Sequence, residues 1–215
     1  MSNSQPHKTD PFWDKQATKY DRAISKHDAQ YDQRLSNLKS LIQPSDHVLD
    51  FGCASGEIAR DLATTAKTVE GIDLSEKMIE LATAKAAQHG LSNVSFLATN
   101  VFDPRLEPET YDVILALNVL HLAKDHQKLI PRLKQLLKPG GRLMVETPCV
   151  DEMPWWQKAL LYPAGAVGLV PHIHRYTKDA PKAELEHFGF TILGSNYDPT
   201  QDFRCSIAAQ KPNMN

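Results

Sequence analysis

The sequence predicts an α/β protein: a mostly parallel sheet of seven strands with helices on both faces and an antiparallel last strand. Three observations predict it. From residue 47 onward, short apolar runs alternate with stretches of helical periodicity; a glycine-bearing turn joins the first run to its helix; and residues 113–117, inside YDVILALNVL, are almost unbroken in their apolarity. An unbroken run is what a central parallel strand buried on both faces requires.

Each element follows in order. Residues 1–11 are polar, with two prolines and no apolar periodicity, and read as a flexible tail. Residues 12–42 read as helical, Leu35, Leu38 and Ile42 falling on one face, and Pro44 closes the segment. Residues 47–51 form the first strand, a helix runs to Thr65, and residues 68–72 form the second strand. Ser75 is a helix-capping type, Met78, Ala82 and Ala86 repeat one turn apart, and Gly90 is a stop signal. Residues 94–98 and 113–117 are the third and fourth strands. The following helix carries Leu129, Ile130, Leu133, Leu136 and Leu137, with a kink or a fresh start expected at Pro131. Lys138, Pro139, Gly140 and Gly141 are read as its terminator and residues 142–146 as the fifth strand. Residues 149–176, with three prolines, two glycines and two of the three tryptophans, break the rhythm and are read as an inserted cap. A helix over 181–188 and strands over 190–197 and 203–209 complete a single domain, residues 12–215.

Charge and cysteine usage narrow the function. Lys plus Arg number 24 and Asp plus Glu 26, a net charge of −2, so no basic field invites a nucleic-acid partner. No run of 18 apolar residues predicts a membrane span, and peripheral contact stays open. Cys53, Cys149 and Cys205 show no CxxC spacing, which suits a reducing cytoplasm and disfavours a cysteine zinc site.

The segment VLDFGCASG puts Gly52 and Gly56 where a buried strand turns into a helix. There Gly52 permits the tight turn, and Gly56 is expected to let backbone approach a ligand. Asp73, in GIDLS, ends the second strand, where a carboxylate can accept both hydroxyls of a ribose diol. The bland alternatives are turn geometry and a helix cap, and the joint spacing favours a nucleotide site. The turn reads G-x-x-x-G rather than G-x-G-x-x-G, against a nicotinamide dehydrogenase.

VLDFGCASG, GIDLS, YDVILALNVLHL and LLKPGGRL together resemble the class I S-adenosylmethionine-dependent methyltransferases over roughly residues 12–210. The resemblance implies a Rossmann-like sheet with an N-terminal helical cover and an inserted cap after strand five. It also implies S-adenosyl-L-methionine as cofactor. Gly52, Cys53 and Ala54 would line its methionine portion, Ala54 standing where the family commonly has glycine, and Asp73 would hold the ribose. Asp50, Gly56, Leu74 and Met78 belong to the same expected set. Asn100, where an acid is frequent, would take the adenine amino group on its carbonyl oxygen, with the Val101 amide facing a ring nitrogen. Leu117 and Asn118 would contact the methionine end. Tyr20, and after it Trp13, are candidates to lie over the cofactor, with ordinary helix packing as the alternative.

Methyl transfer from a sulfonium needs alignment and, for an O or N acceptor, a proton acceptor. His121, just past the fourth strand, is the candidate for that catalytic role, against a histidine bonded to backbone. ALNV stands where nucleobase and amide N-methyltransferases carry Asn/Asp-Pro-Pro-Tyr. The H-x-H pair His172 and His174 lacks a third ligand, so no metal is expected. The cap closes the core, covers an apolar substrate or rests on a membrane, and the covering lid is favoured. The expected function is methyl transfer to a small, apolar or aromatic acceptor. The alternatives are methylation of a lipid-like quinone precursor at a membrane surface and a non-catalytic cofactor-binding partner protein.

Overall fold

A computed structural model of the chain describes residues 11–24, 29–123, 125–159, 173–200 and 203–213. Nearly all of the expected tail and residues 160–172 of the expected cap lie outside them. The strands form one seven-stranded sheet in the order β3-β2-β1-β4-β5-β7-β6, and the chain divides into two compact units, Met1–Leu106 and Glu107–Asn215.

The first unit contains α1 (Pro11–Ile24), α2 (Ala29–Ser40), β1 (His47–Phe51), α3 (Glu57–Leu62), β2 (Thr68–Asp73), α4 (Glu76–Gln88) and β3 (Val94–Ala98). β2 lies between β1 and β3, parallel to both. The helical reading of 12–42 is met by α1 and α2. Residues 25–28, between them, lie outside the described residues. Pro11, assigned to the tail from sequence, instead opens α1, where its missing N–H costs nothing. α4 buries Met78, Ala82 and Ala86, the predicted stripe. Its cap is Ser75, whose Oγ accepts the Met78 N–H at 3.1 Å and donates to Asp14 of α1 at 2.6 Å. Lys85 of α4 pairs with Asp21 of α1 and Ala17 is fully buried. α1 is thus tied to α4 through Asp14 and Asp21.

The second unit contains β4 (Tyr111–Leu117), a 3-10 turn (Leu120–Leu122), α5 (His126–Leu136), β5 (Leu137–Pro148), a second 3-10 turn (Val150–Glu152), α6 (Ala180–His187), β6 (Thr191–Asp198) and β7 (Arg204–Gln210). β4 and β5 are parallel, and β7 runs antiparallel to β5 and β6. Val113, Ile114 and Leu115 are wholly buried, each worth about 1.5–3 kcal/mol of burial.

Two expectations are met differently here, the first only in its alternative of a fresh start. α5 runs through Pro131 without a fresh start. The proline removes one backbone bond in the middle of the helix while Leu129, Ile130, Leu133 and Leu136 stay buried on one face. Residues 138–141 are not a loop after the helix but the first part of β5, with Leu137 paired to Tyr111 and a register shift before Val113. Lys138 bonds Asp112 of β4 at 2.8 Å, and a Cβ on Gly141 would come within 2.9 Å of the Lys138 carbonyl.

Candidate cofactor and acceptor sites

In the first unit the site is built around Asp73. β2 ends there, its carbonyl accepting the Thr99 N–H, and each carboxylate oxygen takes one backbone N–H. Ala54 donates to Oδ2 at 3.0 Å and Ser75 to Oδ1 at 2.9 Å. A carboxylate accepts about four hydrogen bonds, so these two fix its orientation. The turn after β1 is fastened as firmly. The Gly52 and Cys53 N–H groups both donate to Ile72 O, at 2.9 and 3.1 Å, and Gly56 donates to Cys53 O. Gly52 has φ 77 and Ala54 φ 48, so the turn holds an alanine in the left-handed region, a strained conformation characteristic of sites whose surroundings over-determine the backbone.

Gly56 has φ 73. A Cβ there would meet the Phe96 ring at 2.6 Å and Ala82 at 2.9 Å, so the core itself requires a glycine here. Cys53 and Met78 are buried, the Cys53 sulfur lying over Gly71. Val101 is also buried, whereas Leu74 and Phe102 are exposed. Phe102, which sequence reasoning passed over, follows the Asn100 turn, where Asn100 Oδ1 accepts its N–H at 2.8 Å. The carbonyl expected to serve adenine therefore already holds this turn. Tyr20 and Trp13 meet edge to face at 5.9 Å, and Phe12 meets Trp13 at 5.1 Å, a cluster on α1.

Asp50, at the end of β1, is almost wholly buried. Burial pushes its carboxyl up to about 7, the Asp73 charge adding to the rise and Arg34 opposing it. An oriented strand-end carboxylate can accept the hydroxyls of a diol, and a buried acid able to ionise can sit beside a cation.

In the second unit, Asn118 follows β4 with φ 56 and its N–H donates to Glu146 O of β5 at 2.7 Å. Leu117, the last residue of β4, is half-buried. Three residues past Asn118, His121 sits in the 3-10 turn with Nδ1 3.4 Å from Oγ1 of the buried Thr147. Burial pushes the imidazole down to about 4, so it is neutral at physiological pH and has a lone pair available to take a proton. His174 donates its backbone N–H to His121 O at 2.6 Å, while His172 lies outside the described residues.

Comparison with known proteins adds a match to the Methyltransferase domain family over residues 42–183, well over half of the chain. The chain belongs to this family. Residues 42–183 are thus a methyltransferase domain. Its fold is shared by a putative methyltransferase of Bacillus halodurans, with TM-score 0.70 and 16% identity, over 83% of this chain and 99% of that one. It is shared also by the phosphoethanolamine N-methyltransferase 2 of Haemonchus contortus in complex with S-adenosyl-L-methionine, with TM-score 0.71 and 17% identity, over 85% of this chain and 53% of that one. In sequence, the ubiquinone biosynthesis O-methyltransferase of Coxiella burnetii is 33% identical over 101 residues, 47% of this chain and 43% of that protein. That of Pectobacterium carotovorum is 26% identical over 166 residues, 72% of this chain and 68% of that protein. The methyltransferase thus spans less than half the length of the Coxiella protein in their match.

Proposed function

We propose that the chain transfers the methyl group of S-adenosylmethionine to a hydroxyl oxygen of a small aromatic acceptor, with His121 receiving the proton. The observation that carries this reading is the position of His121 just past β4, its Nδ1 3.4 Å from Thr147 Oγ1. When bound, the cofactor supplies a methyl group on a sulfonium, already bonded to a good leaving group. Asp73 would bind its ribose hydroxyls, Asp50 would complement its positive charge, and Leu74 and Phe102 would offer apolar surface to its base. His121 Nε2 would accept the proton that a phenolic hydroxyl loses as oxygen bonds carbon, and Thr147 would hold the ring by Nδ1. The name carried by the Coxiella and Pectobacterium relatives supports an O-acceptor of the quinone-precursor kind.

A second reading, a lipid-like quinone precursor met at a membrane surface, is favoured by Trp155 and Trp156, which are 79% and 55% exposed in a helical stretch over residues 155–159. No helix among the described residues is long and apolar enough to cross a membrane. The test is incubation with methyl-labelled S-adenosylmethionine and dihydroxybenzenes with and without a polyprenyl tail, with and without liposomes. Labelled methyl ether from the short acceptors supports the first reading. Label only with the tailed acceptor on liposomes selects the second. Cofactor binding without any transfer leaves the chain a binding protein.

A further inference from the structure

Beyond His121, the second unit holds a largely buried polar array from residues far apart in sequence. Glu184 of α6 takes two donors on Oε2: the Tyr176 hydroxyl at 2.6 Å and His126 Nδ1 of α5 at 3.2 Å. Burial opposes the Glu184 charge, yet the bonds from His126 and Tyr176 hold its carboxyl below the ordinary range. Burial and the Glu184 charge push the Tyr176 phenol up, so it stays a donor. With the phenol proton directed to Glu184, the Tyr176 oxygen, 2.8 Å from His126 Nδ1, is an acceptor as well. Nδ1 therefore carries the hydrogen, shared between phenol oxygen and carboxylate. His126 Nε2 is buried and without a hydrogen-bond partner among the described residues. Such an atom costs stability, and the array keeps it.

The array connects to the acceptor site through one segment. The His174 ring stacks on His126 at 4.3 Å between centroids, 29° from parallel, and Tyr176 meets both rings edge on. The His174 backbone N–H is the donor to His121 O, and Asp151 N donates to Tyr176 O at 3.0 Å. Residues 174–176 are thereby gripped by Glu184 and His126 on one side and hold the His121 main chain on the other.

We propose that Glu184, His126 and Tyr176 are positioning residues for His121, acting through the His174 contact to fix the imidazole for the acceptor. This rests on the acceptor role given to His121 above. Its consequence is that turnover depends on Glu184, 63 positions along the chain from His121 and on another helix, while cofactor affinity does not.

The test uses the full chain labelled with ¹⁵N-histidine. Two variants, Tyr176→Phe and Glu184→Gln, are compared with the exposed Glu186→Gln control on the same helix. Tyr176→Phe keeps the packing and removes only the hydroxyl, so it decides the matter if Glu184→Gln does not fold. The expected result is a shift of the His121 ring-nitrogen resonances, and of the pH at which they titrate, in both variants and not in the control. S-adenosylhomocysteine affinity should stay within about twofold. With an identified acceptor, kcat should fall about tenfold or more. Unmoved His121 resonances overturn the proposal, as does a shift accompanied by an equal loss of S-adenosylhomocysteine affinity, which would mean general loosening. Unchanged turnover in His121→Ala would defeat the acceptor role itself, a result independent of where the resonances lie.

Discussion

The Asp73 carboxylate accepts the backbone N–H of Ala54, nineteen positions before it, at 3.0 Å. This bond ties the end of β2 to the turn after β1 and holds Ala54 at φ 48. The residue expected to bind ribose is also the residue that shapes the turn. Replacing it therefore removes a ligand contact and releases the backbone around it.

Asp73→Ala should weaken S-adenosylhomocysteine tenfold to hundredfold, the loss of about 1.5–3 kcal/mol expected when a charged acceptor of two hydroxyls disappears. Asp73→Asn should fall between, since one acceptor oxygen remains. Calorimetry decides it, and equal affinity in all three proteins would remove the ribose assignment.

Gly56→Ala should destabilise the fold by about 2–4 kcal/mol, through the left-handed φ and the Phe96 ring at 2.6 Å. Gly56→Ala combined with Phe96→Leu should recover part of the loss. Ala54→Gly, which relaxes a strained φ without adding atoms, should instead change stability by no more than about 1 kcal/mol, in the stabilising direction. Urea unfolding of the four proteins reads both effects.

Asp50 gives the stability a pH dependence of definite sign. Unfolded, its carboxyl ionises near 3.8, and burial holds it to about 7 in the fold. Between those values the folded chain carries the extra proton, so this group's contribution falls as pH rises from about 4 to about 7. Asp50→Asn should lose that slope, and the gap between variant and parent should widen toward pH 8 by as much as a few kcal/mol. Parallel unfolding curves at pH 5 and pH 8 would contradict it.

For His121 the sign is opposite. Burial lowers its pKa to about 4 from 6.5, so the unfolded chain binds the proton first and stability falls as pH drops from about 6.5 to about 4. The acid limb of kcat should lie near pH 4–5, well below an ordinary histidine. His121→Ala should lower kcat about a hundredfold and leave the S-adenosylhomocysteine dissociation constant unchanged. An acid limb near 6.5 would place the titrating group elsewhere.

The paired variant Trp155→Ala with Trp156→Ala should leave the melting temperature nearly unchanged, because both rings are exposed. Its Michaelis constant for the acceptor should rise severalfold if these rings meet the acceptor or the surface that carries it. A large loss of stability with unaltered kinetics would make them structural instead.

The alternation of apolar runs and helical stripes determined the α/β class, and five features of the first unit were readable for local reasons. β1, β3, the α4 stripe, the Ser75 cap and the strand-end Asp73 each depend on neighbours within a few positions, where period and turn chemistry apply. Tertiary contacts decided the rest. Pro131 stays inside α5 because packing of four leucine and isoleucine side chains outweighs one missing backbone bond. Residues 138–141 enter β5 because Leu137 pairs with Tyr111 and the Lys211 backbone bonds Gly140 and Gly141. Gly56 is required by Phe96, forty positions on. The Tyr176–Glu184–His126 array, spanning 50 and 58 positions, has no local signature at all. Its members meet only because α5, α6 and the segment after the cap converge, and a contact made by convergence leaves no period in the sequence.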